Sequence, residues 1–167
     1  MAEVDHRQRI ALSEGTKFTS RPSTEQLMGL ARIDVANSDR LREIVEEHGW
    51  PGRALVGDEG AEHAWLLAQH ADRQLDFQRR ALALLSDAVG AGDAPRRHLA
   101  YLTDRVRMNE GREQVYGTQI AGADDHGVVP WPIADPDGLE ERRAKMGLEP
   151  FADYAAGFAN RDAGTAS

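Results

Sequence analysis

The stretch Ala61-Glu62-His63-Ala64-Trp65-Leu66-Leu67-Ala68-Gln69-His70-Ala71-Asp72 decides the architecture. Ala61, Ala64, Trp65, Leu67, Ala68 and Ala71 fall at helical spacing and leave few sides polar. A short helix that is apolar most of the way round belongs inside a protein, so this one, predicted over about 59–71, is placed at the centre of a helical fold. Gly57-Asp58-Glu59-Gly60 opens it, with Asp58 as the cap and Glu59 and Glu62 at its positive end.

Working outward, Leu27, Leu30, Ala31, Leu41, Ile44 and Val45 form an apolar stripe upstream. Ser23 and Thr24 are cap candidates, and Gly49 and Pro51 stop the run, which predicts a helix over 24–48. Downstream, Leu75, Ala81, Leu82, Leu85, Ala88 and Val89 mark a third helix over about 73–89, ended by Gly90-Ala91-Gly92. Leu99, Leu102 and Val106 mark a fourth over about 95–109, ended by Gly111. The short gaps between them imply antiparallel neighbours.

After Gly111 the period changes. Gln114-Val115-Tyr116-Gly117-Thr118-Gln119-Ile120 alternates and is rich in β-formers, and 128–133 can pair with it across a turn at Gly122–Gly127. Pro130 and Pro132 confine that second segment to an edge strand or strap. Asp135-Pro136 is a cap followed by proline, opening a helix through Lys145, and a short last helix runs from Pro150 to Phe158. The predicted fold is mainly α: a compact antiparallel bundle of about five to six helices with a β-hairpin or extended strap near 114–133. A flexible arm (1–22), one helical domain (23–158) and a disordered tail (159–167) complete the expected organisation.

Composition narrows the chemistry. The 167 residues contain no cysteine, which excludes thiolate catalysis and cysteine-ligated metals. With 28 acidic and 20 basic side chains the formal charge is −8, which opposes sequence-independent binding of nucleic acid. No secretory signal and no membrane-length apolar run is found, so a cytoplasmic protein with neither nucleic-acid nor membrane partners is expected. P-loop, dinucleotide-binding, nucleophile-elbow, zinc-protease and EF-hand motifs are all missing, which leaves no cofactor implied.

What remains is a surplus of polar residues on apolar faces. Asp34, Asn37 and Ser38 interrupt the first stripe; Gln78 lies on the third. His63 and His70 are seven apart, hence roughly 10 Å along a helix. They cannot share one metal ion whose ligands lie roughly 2 Å away, so no metal is assigned. His70 suits general acid–base chemistry with Asp72 fixing its tautomer, or else it simply complements a helix C-terminus. Asp104-Arg105 either grips a substrate carboxylate or phosphate or forms an inter-helix ion bridge. Gln114, Tyr116 and Thr118 present a polar strand face, with Gln119 opposite. Asp124-Asp125-His126, in a glycine-flanked turn, reads as a solvated loop.

In order, Asp34-x-x-Asn37, Gly49-Trp50-Pro51, Gln69-His70-x-Asp72, Gln78, Leu102-x-Asp104-Arg105, Gln114-x-Tyr116-Gly117-Thr118-Gln119, Asp135-Pro136 and Arg142-Arg143-x-x-x-Gly147-Leu148 follow one another. This set resembles an uncharacterised bacterial family, a domain of unknown function, over roughly 24–155. The resemblance implies a helical domain and no particular activity. It selects Asp34, Asn37, Gln69, His70, Asp72, Asp104, Arg105, Gln114, Tyr116 and Gln119, nearly all of them already too polar for their faces. They are assigned to one pocket for a small polar molecule. His70, Asp72 and Asp34 carry the chemistry there, hydrolysis or elimination, and Asn37, Gln69, Asp104, Arg105, Gln114, Tyr116 and Gln119 bind. A non-catalytic ligand-binding, immunity or pathway-accessory protein and a single-site histidine–carboxylate metalloenzyme are the alternatives.

Overall fold

A computed structural model describes residues 23–124 and 127–163. The arm at 1–22, Asp125, His126 and 164–167 lie outside the described residues, as do the side chains of Gln26, Leu30 and 159–163, and so do the expectations placed on them. Among the described residues there are six α-helices, a 3-10 turn and one two-stranded antiparallel sheet, so the fold is mainly α with a short hairpin. The chain divides into two compact units, Met1–Ala94 and Pro95–Ser167.

The first unit holds α1 (Thr24–His48), α2 (Arg53–Gln69) and α3 (Leu75–Gly90). Asp39 and Arg42 of α1 bond Gln74, Arg42 lies over the Phe77 ring, and Glu46 meets Arg80. Residue numbers rise together along both helices, so α1 and α3 run parallel, and the short loops make α2 the returning helix between them. Ala61, Ala64, Leu67 and Ala68 of α2 are buried, as the central placement predicts, together with Leu41 and Val45 of α1 and Phe77, Ala81 and Leu85 of α3.

Three local expectations are corrected. Helix α2 starts earlier than 59, with a single turn at 53–56 that breaks at Gly57, whose φ of +72° only glycine adopts without strain. Asp58 does not act through a cap bond; it pairs with Arg53 at 2.8 Å. The single turn is capped from a distance instead, by Asp93 Oδ1 accepting from the Ala54 amide at 2.7 Å. On α1, Leu27 is 52% exposed despite its place on the stripe. It lies about two turns before Val35, the first α1 residue bonded to the α3 cap residue Gln74.

The second unit holds α4 (Arg96–Asn109), β1 (Ile120–Asp124), β2 (Gly127–Pro130), a 3-10 turn at Pro136–Gly138, α5 (Leu139–Lys145) and α6 (Phe151–Ala163). The strands pair Gly122 with Val129 and Asp124 with Gly127, with an irregularity between Ile120 and Gly122. Pro130 closes β2 opposite Ile120, on a strand that has a free edge for it. Tyr154 of α6 packs edge-on to Tyr101 of α4 and to Phe158. The last helix continues to Ala163, past the predicted end at 158.

The alternation at 114–119 is not a strand. Only Gln114 makes a bridge, parallel to Ile133, and 115–119 is a loop that turns at Gly117 with φ of +66°. Asp135 is likewise not a side-chain cap. It adopts φ of +47°, rare for a non-glycine residue, and its carboxylate takes Arg142 Nη1 at 2.8 Å.

Candidate functional site

In the first unit the polar residues gather at the end of α2. His70 is its C-cap residue and is half-buried. Gln69 is buried, and Asp72 is exposed just beyond. Gln78 occupies a core position on α3, one turn before Ala81 and two before Leu85, and is fully buried. Its Nε2 donates to the carbonyls of Ala68 at 3.1 Å and Gln69 at 3.3 Å, and to Asp72 Oδ1 at 3.4 Å. The last carbonyls of a helix have no intrahelical donor, so a buried amide from the neighbouring helix both satisfies them and fixes the turn that carries His70. Asp72, predicted to orient His70, is therefore itself held by Gln78. On α1, Ser38 Oγ donates back to the Asp34 carbonyl at 2.7 Å, while Asn37 Nδ2 is buried with no hydrogen-bond acceptor.

In the second unit the polar residues build a clamp around loop 115–119. Asp104 on α4 is fully buried. Its Oδ1 accepts from the amides of Val115 at 2.7 Å and Tyr116 at 3.1 Å. Its Oδ2 accepts from the Tyr116 and Thr118 amides, at 3.1 and 3.0 Å, and from Thr118 Oγ1 at 2.9 Å. The carbonyl side of the same loop is equally engaged. Arg142 Nε donates to Val115 O at 2.9 Å, Arg143 Nη1 to Tyr116 O at 2.7 Å and Gly117 O at 3.4 Å, and Tyr154 Oη to Thr118 O at 2.7 Å.

Two peptide planes, 115–116 and 117–118, thus point N–H at Asp104 and C=O at an arginine. The anion and the cations do not touch; aligned peptide dipoles join them, which offsets the cost of burying charge. Arg143, 1% exposed, is held further by the Glu149 carbonyl at 2.7 Å and by the Tyr154 and Phe151 rings, 5.1 and 5.6 Å from its guanidinium carbon. Burial pushes the Asp104 carboxyl above its ordinary 3.8, and the hydrogen bonds from Val115, Thr118 and Tyr116 work against that rise. The Tyr116 phenol is raised above 10 by its own burial and by the negative charge of Asp104, opposed by Arg142.

Gln114 ties the loop to the strap beyond the hairpin. Its side-chain Nε2 donates to Gln119 O at 3.0 Å and Trp131 O at 2.7 Å, and its Oε1 accepts from the Gln119 amide at 2.8 Å. Asp104 and Gln114, read as substrate-binding groups, are fully buried and bonded to the chain itself, so their part is to hold the loop. The predicted polar strand face formed by Gln114, Tyr116 and Thr118 is replaced by this wrapped loop, because a buried carboxylate draws successive amides to one point. Arg105 and Gln119 do meet: Arg105 Nη1 donates to Gln119 Oε1 at 3.1 Å. Gln69, His70, Asp72, Asp34 and Asn37 belong to the first unit and Asp104, Arg105, Gln114, Tyr116 and Gln119 to the second.

Gln78, Thr118, Arg142, Arg143 and Tyr154 take part in these networks without being among the expected site residues. One signal was readable: Arg143 stands four residues after Leu139 on a seven-residue helix, an arginine on the apolar face. Among the described residues no three His, Asp or Glu side chains are grouped to hold a metal ion. No helix among them is long and apolar enough to cross a membrane.

The class is therefore a mainly α protein whose polar residues fix one helix end and one loop. The chain belongs to a family of unknown function, DUF6624, whose sequence model matches residues 1–162. No curated protein and no solved structure matches it.

Proposed function

We propose that this protein acts on a small polar molecule by general acid–base chemistry at the end of α2, with His70 as the proton-transferring group. It works in the bacterial cytoplasm and without a nucleotide cofactor. The observation that supports this most is Gln78. Leucine would fill its core position, yet a fully buried amide stands there and bonds the three acceptors that flank His70 in sequence. Fixing a half-buried imidazole in this way is what proton transfer requires, since the base must meet its proton within hydrogen-bond reach. The unpartnered Asn37 Nδ2 of the same unit supports a polar ligand, because an oxygen accepting from it would remove the penalty of a buried donor. Hydrolysis or elimination is the reaction class, with Asp72 and Asp34 as the accompanying carboxylates.

A panel of small esters, amides, lactones and phosphoesters tests the reading on the full chain. His70→Ala is expected to lower turnover of any accepted substrate at least about 100-fold. The melting temperature should stay within a few degrees of the parent. A His70→Ala protein that keeps its rate removes the histidine from the chemistry. The second reading, a ligand-binding or accessory protein, is favoured by how much of the second unit's polar inventory serves to stiffen one loop. A small molecule that survives purification chemically unchanged supports it.

A further inference from the structure

We propose that a pocket between α1 and the first half of α2 binds a small uncharged molecule, with an apolar body and one hydroxyl or carbonyl group that His63 recognises. The site is separate from the end of α2, since seven residues, roughly 10 Å along the helix, divide His63 from His70. Nothing in it depends on His70 being catalytic.

The pocket has a volume of about 240 Å³. Leu41 and Ile44 come from α1, Ala64 and Leu67 from α2, and of these Leu41, Ala64 and Leu67 are buried. Val56 forms one side from the single turn at 53–56 and stays 42% exposed. That turn is a wall of its own. Gly57, with φ of +72°, parts it from the body of α2. Asp93 holds it from outside the helix, its carboxylate accepting from the Ala54 amide at 2.7 Å and its carbonyl from the Arg53 amide at 3.0 Å. Backbone bonds therefore fix where the wall stands, and Val56 need not fill the space beside it. Gly60 lets the wall lie close, because an added Cβ there would meet Val56 Cβ at 2.7 Å.

Among the described residues, His63 is the one polar side chain in this lining. It shares the stripe of Gly60, Ala64 and Leu67 on α2, where packing alone is better served by leucine. No hydrogen bond or ion pair among the described residues engages its ring. An imidazole can donate or accept, so it serves a hydroxyl or a carbonyl equally. No Lys, Arg, Asp or Glu among the described residues lines the pocket, so a charged ligand would lose hydration without gaining a counter-ion. Size sets the rest. An apolar cavity of roughly 150 Å³ takes up benzene, so this one suits roughly ten non-hydrogen atoms. A helix, roughly 10 Å across with its side chains, is too wide an occupant.

The test titrates the 15N-labelled full chain with p-cresol, toluene and sodium 4-methylbenzoate, following backbone amide shifts. The expected result is saturable binding of p-cresol, with the largest shifts at residues 41–44, 56 and 60–67. One hydrogen bond should make p-cresol bind about fivefold tighter than toluene, which has the same ring and no hydroxyl. His63→Leu keeps the volume and should bring that ratio to about one. Val56→Phe, at an exposed position, fills the pocket and should abolish the shifts from both. The 4-methylbenzoate anion should bind more weakly than p-cresol. No saturable shift at these residues would overturn the proposal, as would a ratio unchanged in His63→Leu or a preference for the anion. Shifts at the same residues that grow with protein concentration, without any probe, would assign the pocket to a second copy and overturn it too. Should Val56→Phe fail to fold, the His63→Leu ratio decides alone. Binding of p-cresol that persists in His70→Ala, whatever happens to turnover, separates this site from the catalytic one.

Discussion

At the scale of single residues, Asp104 shows how a carboxylate can be consumed by its own chain. Five hydrogen bonds reach it, from three backbone amides and one hydroxyl, and none leaves a lone pair that a substrate would need. Asp104→Asn keeps the shape but sets an NH2 donor against amide donors. It should cost about 2–4 kcal/mol by urea denaturation, the range for a buried polar network left mismatched. The same variant tests the electrostatics of Tyr116. Its phenol is held above 10 first by burial and then by the Asp104 charge, so removing that charge should bring the ionisation down towards the ordinary tyrosine value. An alkaline spectrophotometric titration of the parent and variant reads this, and an unchanged midpoint would mean the two groups do not sense each other. Asp104 and Asp34 are both acidic residues on helix faces, and their sequences do not distinguish them; the difference is which backbone amides arrive nearby.

At the scale of elements, most boundaries were legible in the residues. The first helix runs 24–48 as its stripe and stops predict, and α3 and α4 differ by no more than two residues at either end, whereas α2 begins six residues before its expected start. Helical periodicity is a local property, since packing one face of a helix needs apolar groups at fixed spacing on that helix alone. The loop at 115–119 was misread because period-two alternation is also what a short loop shows when successive groups turn to opposite partners. Gly117 is the point to test. Its φ is +66°, and an added Cβ would lie 3.0 Å from the Phe151 ring. Gly117→Ala should destabilise by about 1–3 kcal/mol through both strain and overlap, with the loss read from the thermal midpoint. At the end of α2, Gln78→Leu fills the core but removes the side-chain amide that bonds the Ala68 and Gln69 carbonyls and the Asp72 carboxylate. It should cost about 1–2 kcal/mol and raise amide exchange locally at residues 70–74. Uniform exchange across the chain would argue that Gln78 does no more than pack.

At the scale of the whole molecule, the acidic balance makes its own prediction. A formal charge of −8 with a pI near 5.2 should give no measurable retention on duplex DNA at physiological salt, checked by gel shift. Dialysis against a chelator should leave the melting temperature and any turnover unchanged; a fall in either would revive a histidine–carboxylate metal site. What the sequence by itself determined is the helical class, the bounds of α1, α3 and α4, and a short hairpin within 114–133. It also marked the positions where polar groups sit on apolar faces. These follow from spacing along one segment. What only the tertiary structure decided is the use of those polar groups. Asp104 finds its partners 11 to 14 residues away, Gln114 reaches Trp131, and Arg142 and Arg143 reach back 27 residues to Val115 and Tyr116. No local pattern encodes such pairings, because a hydrogen bond depends on where two groups meet in space, and that is set by how the helices and loops pack.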